Sequence, residues 1–168
     1  MRLAASGAVR LLAAEDGPRV AVLAFDGWDT HANEGGATGR LAQLLGGLDD
    51  AFQALESGLG ERWKDTAVIA ITEFGRTARI NGTTGTDHGT GTIALLLGGA
   101  VKGGRVVADW PGLRDDQLHE KRDLRATTDL RAVLKGVLGD HLQVPARVLE
   151  RDVFPDSANV RPLALLRA

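Results

Sequence analysis

Three short segments hold most of the residues able to bind a metal or move a proton. Asp26-Gly-Trp-Asp-Thr-His-Ala-Asn33 sets Asp29 two residues before His31. In extended backbone that spacing puts both side chains on one side. An Asp oxygen and a His nitrogen so placed suit one ion at about 2.0–2.2 Å each. The same pair suits a turn cap followed by a surface histidine. Asn81-Gly-Thr-Thr-Gly-Thr-Asp-His-Gly-Thr-Gly91 sets Asp87 and His88 among glycines. Glycine lets the backbone present both side chains to one centre or to two adjacent centres. A turn with an incidental histidine is the alternative, although a loop so rich in Gly and Thr is costly to order. Glu73 directly follows an apolar run, where a carboxylate can meet a metal or a substrate, and where an acid also suits a helix N-terminus. Arg76 carries the planar fork that binds phosphate or sulfate bidentately, and it could equally pair Glu73 or a surface acid.

These segments must be held by regular elements, and the apolar pattern indicates which. Residues 3–14 read as an Ala- and Leu-rich helix. Residues 38–59 form the clearest helix, with Leu41, Leu44, Leu45, Leu48, Phe52, Leu55 and Leu59 on one face and Thr38 as N-cap. Residues 127–142 make another, with Leu130, Val133, Leu134, Val137 and Leu138 inward, and Pro145 can start one more. Short, wholly apolar runs at 19–25, 66–72, 92–97 and 105–108 read as strands buried on both faces. The order predicts an α/β fold: a mostly parallel sheet flanked by helices. In such sheets ligands bind beyond the carboxyl ends of the strands. Asp29, His31, Glu73, Asp87 and His88 are therefore expected along one edge.

Composition narrows the function classes. A length of 168 residues fits one domain or part of a larger one. Twenty Lys+Arg against 22 Asp+Glu gives a net charge of -2, which recommends no nucleic-acid partner. No apolar run approaches the roughly 18 residues of a membrane span. Without Cys there is no disulfide, thiolate zinc site or Cys nucleophile. The 22 glycines concentrate between apolar runs, as in functional loops. P-loop, nucleophile-elbow and dinucleotide fingerprints are all missing. The N-terminal stretch does not read as an export signal, because Arg2 stands alone, Arg10 interrupts the apolar run and no cleavage site follows.

Six ordered motifs carry a family resemblance over roughly residues 19–145. They are Gly27-Trp-Asp-Thr-His-Ala-Asn33, Thr72-Glu-Phe-Gly-Arg-Thr77, Gly85-Thr-Asp-His-Gly89, the stretch Gly98-Gly to Val101-Lys-Gly-Gly104, Trp110-Pro-Gly-Leu113 and Thr128-Asp-Leu-Arg131. The chain resembles the bacterial domain-of-unknown-function fifteen-oh-one family, which is similar to the alkaline phosphatase and sulfatase superfamily. Members of that family usually exceed twice this length, and many carry a twin-arginine export signal.

The resemblance implies an alkaline phosphatase-like fold truncated at its N-terminus, so that the chain is a single partial domain. It implies a divalent-metal site on Asp29, His31, Glu73, Asp87 and His88, with Arg76 holding an anionic ester. Zinc or manganese is favoured over calcium or magnesium, since His ligands suit the softer ions and carboxylates admit manganese. Hydrolysis of phosphate or sulfate esters is the implied chemistry, with a partner chain supplying the missing N-terminal strands. Two departures argue against turnover by this chain alone. Glu73-Phe-Gly stands where the superfamily has Asp-His-Gly, and no Ser or Thr matches the nucleophile position. The alternative is a non-catalytic binding or assembly domain of the same fold.

Overall fold

A computed structural model describes residues 1–167. Four α-helices are defined among them: α1 (Arg2–Leu12), α2 (Arg40–Leu59), α3 (Leu130–Leu142) and the single turn α4 (Ala146–Val148). A 3-10 segment, Gly60–Asp65, extends α2, and a π turn, Leu149–Val153, extends α4. The strands are short: β1 (Val68–Ala70), β2 (Gly75–Arg76), β3 (His88–Gly89) and β4 (Leu95–Leu97).

The first two helices form an αα-hairpin. Ala5 and Val9 of α1 pack on Ala51, Leu55 and Leu59 of α2, with Phe25, Trp63 and Val68 at the margin. The helices approach closely at Gly58, where an added Cβ would meet Val9 Cγ1 at 2.7 Å. The buried stripe of α2 lies in its C-terminal half, and Leu45 is exposed. Its N-cap is Gly39, not Thr38, and no side chain caps it. In α3, by contrast, the Asp129 carboxylate accepts from the Arg131 N–H, an N-cap that also suits the helix dipole.

The expected parallel sheet is not what forms. β1 pairs antiparallel with β4, in register Val68↔Leu97, and β2 pairs antiparallel with β3. The cause is local. The chain leaving β1 doubles back through the β2–β3 hairpin and returns beside β1 in reverse, whereas a parallel neighbour needs a crossover on the sheet face. Only 68–70 and 95–97 of the expected strands 66–72 and 92–97 pair. Residues 19–25 and 105–108 are in no strand. Arg19–Ala24 are all exposed, and 19–25 make no backbone–backbone hydrogen bond among the described residues.

Alternation along β1 still links two clusters, as the pleat requires. Val68 faces the α1–α2 cluster, while Ile69 and Leu96 face Val133, Val137 and Leu165. Leu165 belongs to a C-terminal strap running antiparallel across the end of β4. Lys102 N–H bonds to Leu165 O at 2.9 Å and Arg167 N–H to Ala100 O at 2.8 Å. The strap crosses α3 so tightly that a Cβ on Gly136 would stand 2.0 Å from Leu163 O. Lys135 locks it. This lysine side chain is 2% exposed, and its ammonium donates to Ser157 O and Val160 O at 2.9 Å each and to Glu150 at 3.3 Å.

Candidate metal centre

Two loops and one hairpin build the site. Residues 30–34 lie against residues 81–86 in a short antiparallel stretch. Thr86 N–H bonds to Thr30 O, Asn33 N–H to Thr83 O and Glu34 N–H to Thr84 O. Asn81 Nδ2 and Thr83 Oγ1 both donate to His31 O, at 2.9 and 2.6 Å. Contact at Gly85 is so close that a Cβ would stand 2.3 Å from the His31 carbonyl carbon. Asn33 (φ 48) and Thr84 (φ 57) take the left-handed conformation here. Non-glycine residues adopt it at a cost of about 1–3 kcal/mol, and such strain gathers at functional sites.

The β2–β3 hairpin places Arg76 directly opposite His88. Cross-strand partners project from the same face, and both reach Asp29. His88 Nε2 is 2.8 Å from Asp29 Oδ1, His31 Nε2 is 3.0 Å from the same oxygen, and the two His Nε2 atoms are 3.1 Å apart. These three groups, half exposed, offer ligand atoms that all lie within 4.8 Å of one another. Phe74 supports the His88 ring, with centroids 4.1 Å apart.

Around this triangle stand three polar supports. Asp87 Oδ1 faces His31 Nδ1 at 3.2 Å and accepts from Asn81 Nδ2 at 2.9 Å. Arg76 donates from Nη1 to Asp29 Oδ1, from Nη2 to Thr86 O and from Nε to Thr86 Oγ1. Thr86 Oγ1 in turn donates to Glu34. Hydrogen bonding from His88, then from Arg76, holds the Asp29 carboxyl below its usual range. Asn81, then His31, does the same for Asp87. Both are carboxylates at neutral pH.

The separations test whether a cation fits. Two ligand atoms at about 2.1 Å from one ion lie about 3.0 Å apart at right angles and about 3.4 Å apart at the tetrahedral angle. The observed 2.8, 3.0 and 3.1 Å match the right-angled, facial arrangement. The donor set, two imidazoles and a carboxylate, suits a first-row divalent ion with open positions.

Of the five residues expected to ligate, Asp29, His31 and His88 converge on one point. Asp87 touches His31 from behind instead of facing that point. Glu73 is exposed, forms no side-chain hydrogen bond among the described residues and is outside the cluster. Arg76 has each of its three nitrogens engaged by the protein. The sequence pattern gives no sign that Asn81, Thr86 and Phe74 act as supports, beyond the Asn-Gly turn signal at residues 81–82. His119 is exposed and His141 half-buried, both away from the triangle. No helix among the described residues is long and apolar enough to cross a membrane.

A family model described as "Protein of unknown function (DUF1501)" matches residues 3–153. No curated protein matches the chain, and no solved structure does.

Proposed function

The chain belongs to the DUF1501 family, and from that premise we propose that it holds a divalent cation on Asp29, His31 and His88. One observation carries the reading. His31 Nδ1 lies 3.2 Å from the Asp87 carboxylate, a contact that favours the tautomer with its proton on Nδ1 and its lone pair on Nε2. Nε2 then faces the Asp29 carboxylate oxygen 3.0 Å away and the His88 Nε2 3.1 Å away. Without an ion, the His88 and Arg76 hydrogen bonds to Asp29 hold this cluster together; a cation among the three atoms would take the place of the His88 proton. A carboxylate behind a ligating histidine is also the usual outer partner of a metal site.

Manganese fits the near-right-angled spacing better than tetrahedral zinc. The resemblance to the alkaline phosphatase and sulfatase superfamily suggests a phosphate or sulfate ester as the group presented to the ion. A bound divalent ion would polarise an ester oxygen or acidify a bound water. The chain's own part is to aim the ligands: Asp87 fixes the His31 tautomer, and Arg76 fixes Asp29 while adding positive charge beside an incoming anion. Thr86 is committed to Glu34, and Ser157 is wholly buried, so neither offers an attacking hydroxyl. The second reading is a metal-holding domain that binds an anionic ester without turning it over; in the first, an ion-bound water is the attacking group.

Calorimetric titration of metal-free protein with manganese and with zinc tests the centre. Saturable binding lost in His31→Ala/His88→Ala is expected, and heats unchanged by that double substitution would overturn the assignment. Aryl phosphate and aryl sulfate assays separate the two readings, with metal-dependent turnover abolished by Asp29→Asn as the mark of catalysis.

A further inference from the structure

We propose that Asp123 is the positioning residue of this centre, acting through the β2–β3 hairpin; the inference rests on the metal-centre reading above. Its side chain is 2% exposed, whereas that of Asp29 is 57% exposed. Asp123 touches none of the three ligand atoms. Its backbone instead bridges to Thr77, directly after β2, and Ala78 N–H bonds to Arg122 O at 3.0 Å. Its Oδ2 accepts from Thr90 N–H at 3.1 Å and Thr90 Oγ1 at 2.9 Å, directly after β3. Residues 122–123 thus hold both strands of the hairpin: the Asp123 carboxylate holds Thr90, two positions beyond His88, while its backbone lies beside Thr77, one position beyond Arg76, with Arg122 O taking the Ala78 N–H.

The grip is tight and specific. Residues 119–123 are closed by two backbone bonds, His119 N–H to Asp123 O at 2.9 Å and Asp123 N–H to His119 O at 3.0 Å. The neighbouring Leu124 carbonyl oxygen would stand 2.5 Å from a Cβ on Gly91, so the segment presses against the chain leaving β3. Arg122 Nη2 also donates to Oδ2, at 3.2 Å. Oδ1 lies 2.9 Å from Arg122 Nε yet accepts no hydrogen bond, being out of line with that N–H. A buried carboxylate with one oxygen short of a donor is costly to keep. Its return is register: a shift of Arg76 relative to His88 would break either the Ala78–Arg122 bond or the Thr90–Asp123 bonds. Register decides whether Arg76 reaches Asp29 and whether His88 Nε2 meets His31 Nε2.

The test compares Asp123→Ala and Asp123→Asn with Val137→Ala, a destabilising change in the remote α3 cluster. Manganese affinity is read by titration, and Thr90, Thr77 and Asp87 amide exchange by metal-free NMR. Asp123→Ala is expected to weaken manganese about tenfold or more and to speed exchange at Thr90 by a similar factor. Asp123→Asn keeps an acceptor for Thr90 and is expected to bind manganese within about threefold of the parent. Val137→Ala is expected to melt earlier with unchanged affinity. Asp123→Ala binding like the parent would overturn the proposal, and so would an equal loss of affinity in Val137→Ala. If the parent binds neither manganese nor zinc, the metal reading falls. Thr90 exchange and the His88 ring shift then still decide whether Asp123 sets the hairpin register.

Discussion

Gly75→Ala, a change of one methyl group, is expected to unseat the site and lower stability together. Gly75 has an ordinary backbone conformation, so alanine meets no dihedral penalty there. Its Cβ, however, would stand 1.8 Å from Gly91 O and 2.6 Å from Gly91 C, against the 3.4–4 Å of ordinary contact. The Gly91 backbone would have to retreat by about 1.6 Å, more than a ladder hydrogen bond can stretch. With the β2–β3 pairing lost and backbone groups left unpaired, the cost is about 3 kcal/mol. For a chain of this size that is a fall in Tm of about 6–12 °C. Arg76 follows Gly75 directly and His88 lies opposite Arg76, so manganese binding is expected to fall with it. Circular-dichroism melts and manganese titration read the two effects. Gly36→Ala and Gly82→Ala are the controls, since nothing lies within 4 Å of a Cβ at either position. A Gly75→Ala protein melting within about 1 °C of the parent would refute the close-approach argument, whatever the controls do.

Asp87→Ala is expected to weaken manganese about tenfold, because His31 loses the partner that fixes its tautomer, whereas Glu73→Ala leaves affinity unchanged; calorimetry separates the two. Lys135→Met is expected to cost about 3 kcal/mol in urea denaturation, since the carbonyls of Ser157 and Val160 lose their donor. Stability is also expected to fall in acid. Burial raises the Asp123 pKa, but hydrogen bonds from Thr90 and Arg122 outweigh it, and the Arg131 hydrogen bond lowers that of Asp129. Both folded values lie below the ordinary 3.8. Their contribution is therefore fully present above that pH and is lost as pH falls through the depressed values; melts between pH 6 and pH 2 check the direction.

Helices were the legible part of this fold. The apolar spacing at 38–59 and 127–142 marks α2 and α3 to within two or three residues, because a helix satisfies its own backbone and leaves a local signature. Strand pairing has no such signature. Val-Ala-Val-Leu-Ala at 20–24 and Val-Ile-Ala at 68–70 look alike, yet only the second finds a neighbour. Pairing direction depends on the path of residues 71–94, which no local pattern encodes. The expected α2 face holds except at Leu45, which is exposed: Leu41, Leu44, Leu48, Phe52, Leu55 and Leu59 are buried or half-buried, and contact with α1 also buries Ala51. At the site, Asp29, His31, Asp87 and His88 stand out by residue type and spacing. That Asp87 backs His31 depends on the 81–86 loop folding over residues 30–34, a long-range event. Asp123 lies in an unremarkable polar stretch and is visible only through its partners.

The C-terminal strap has a consequence for where this unit can be cut. The family match ends at residue 153, but the packing runs on to Leu165 and Leu166. A gene segment trimmed to the matched span, or spliced onto another protein at that point, would open Val133 and Val137 to water. It would also leave the Lys135 ammonium with Glu150 as its remaining partner. The smallest transplantable piece is thus longer than the piece recognisable by likeness, and any recombinant fusion needs its junction beyond Arg167.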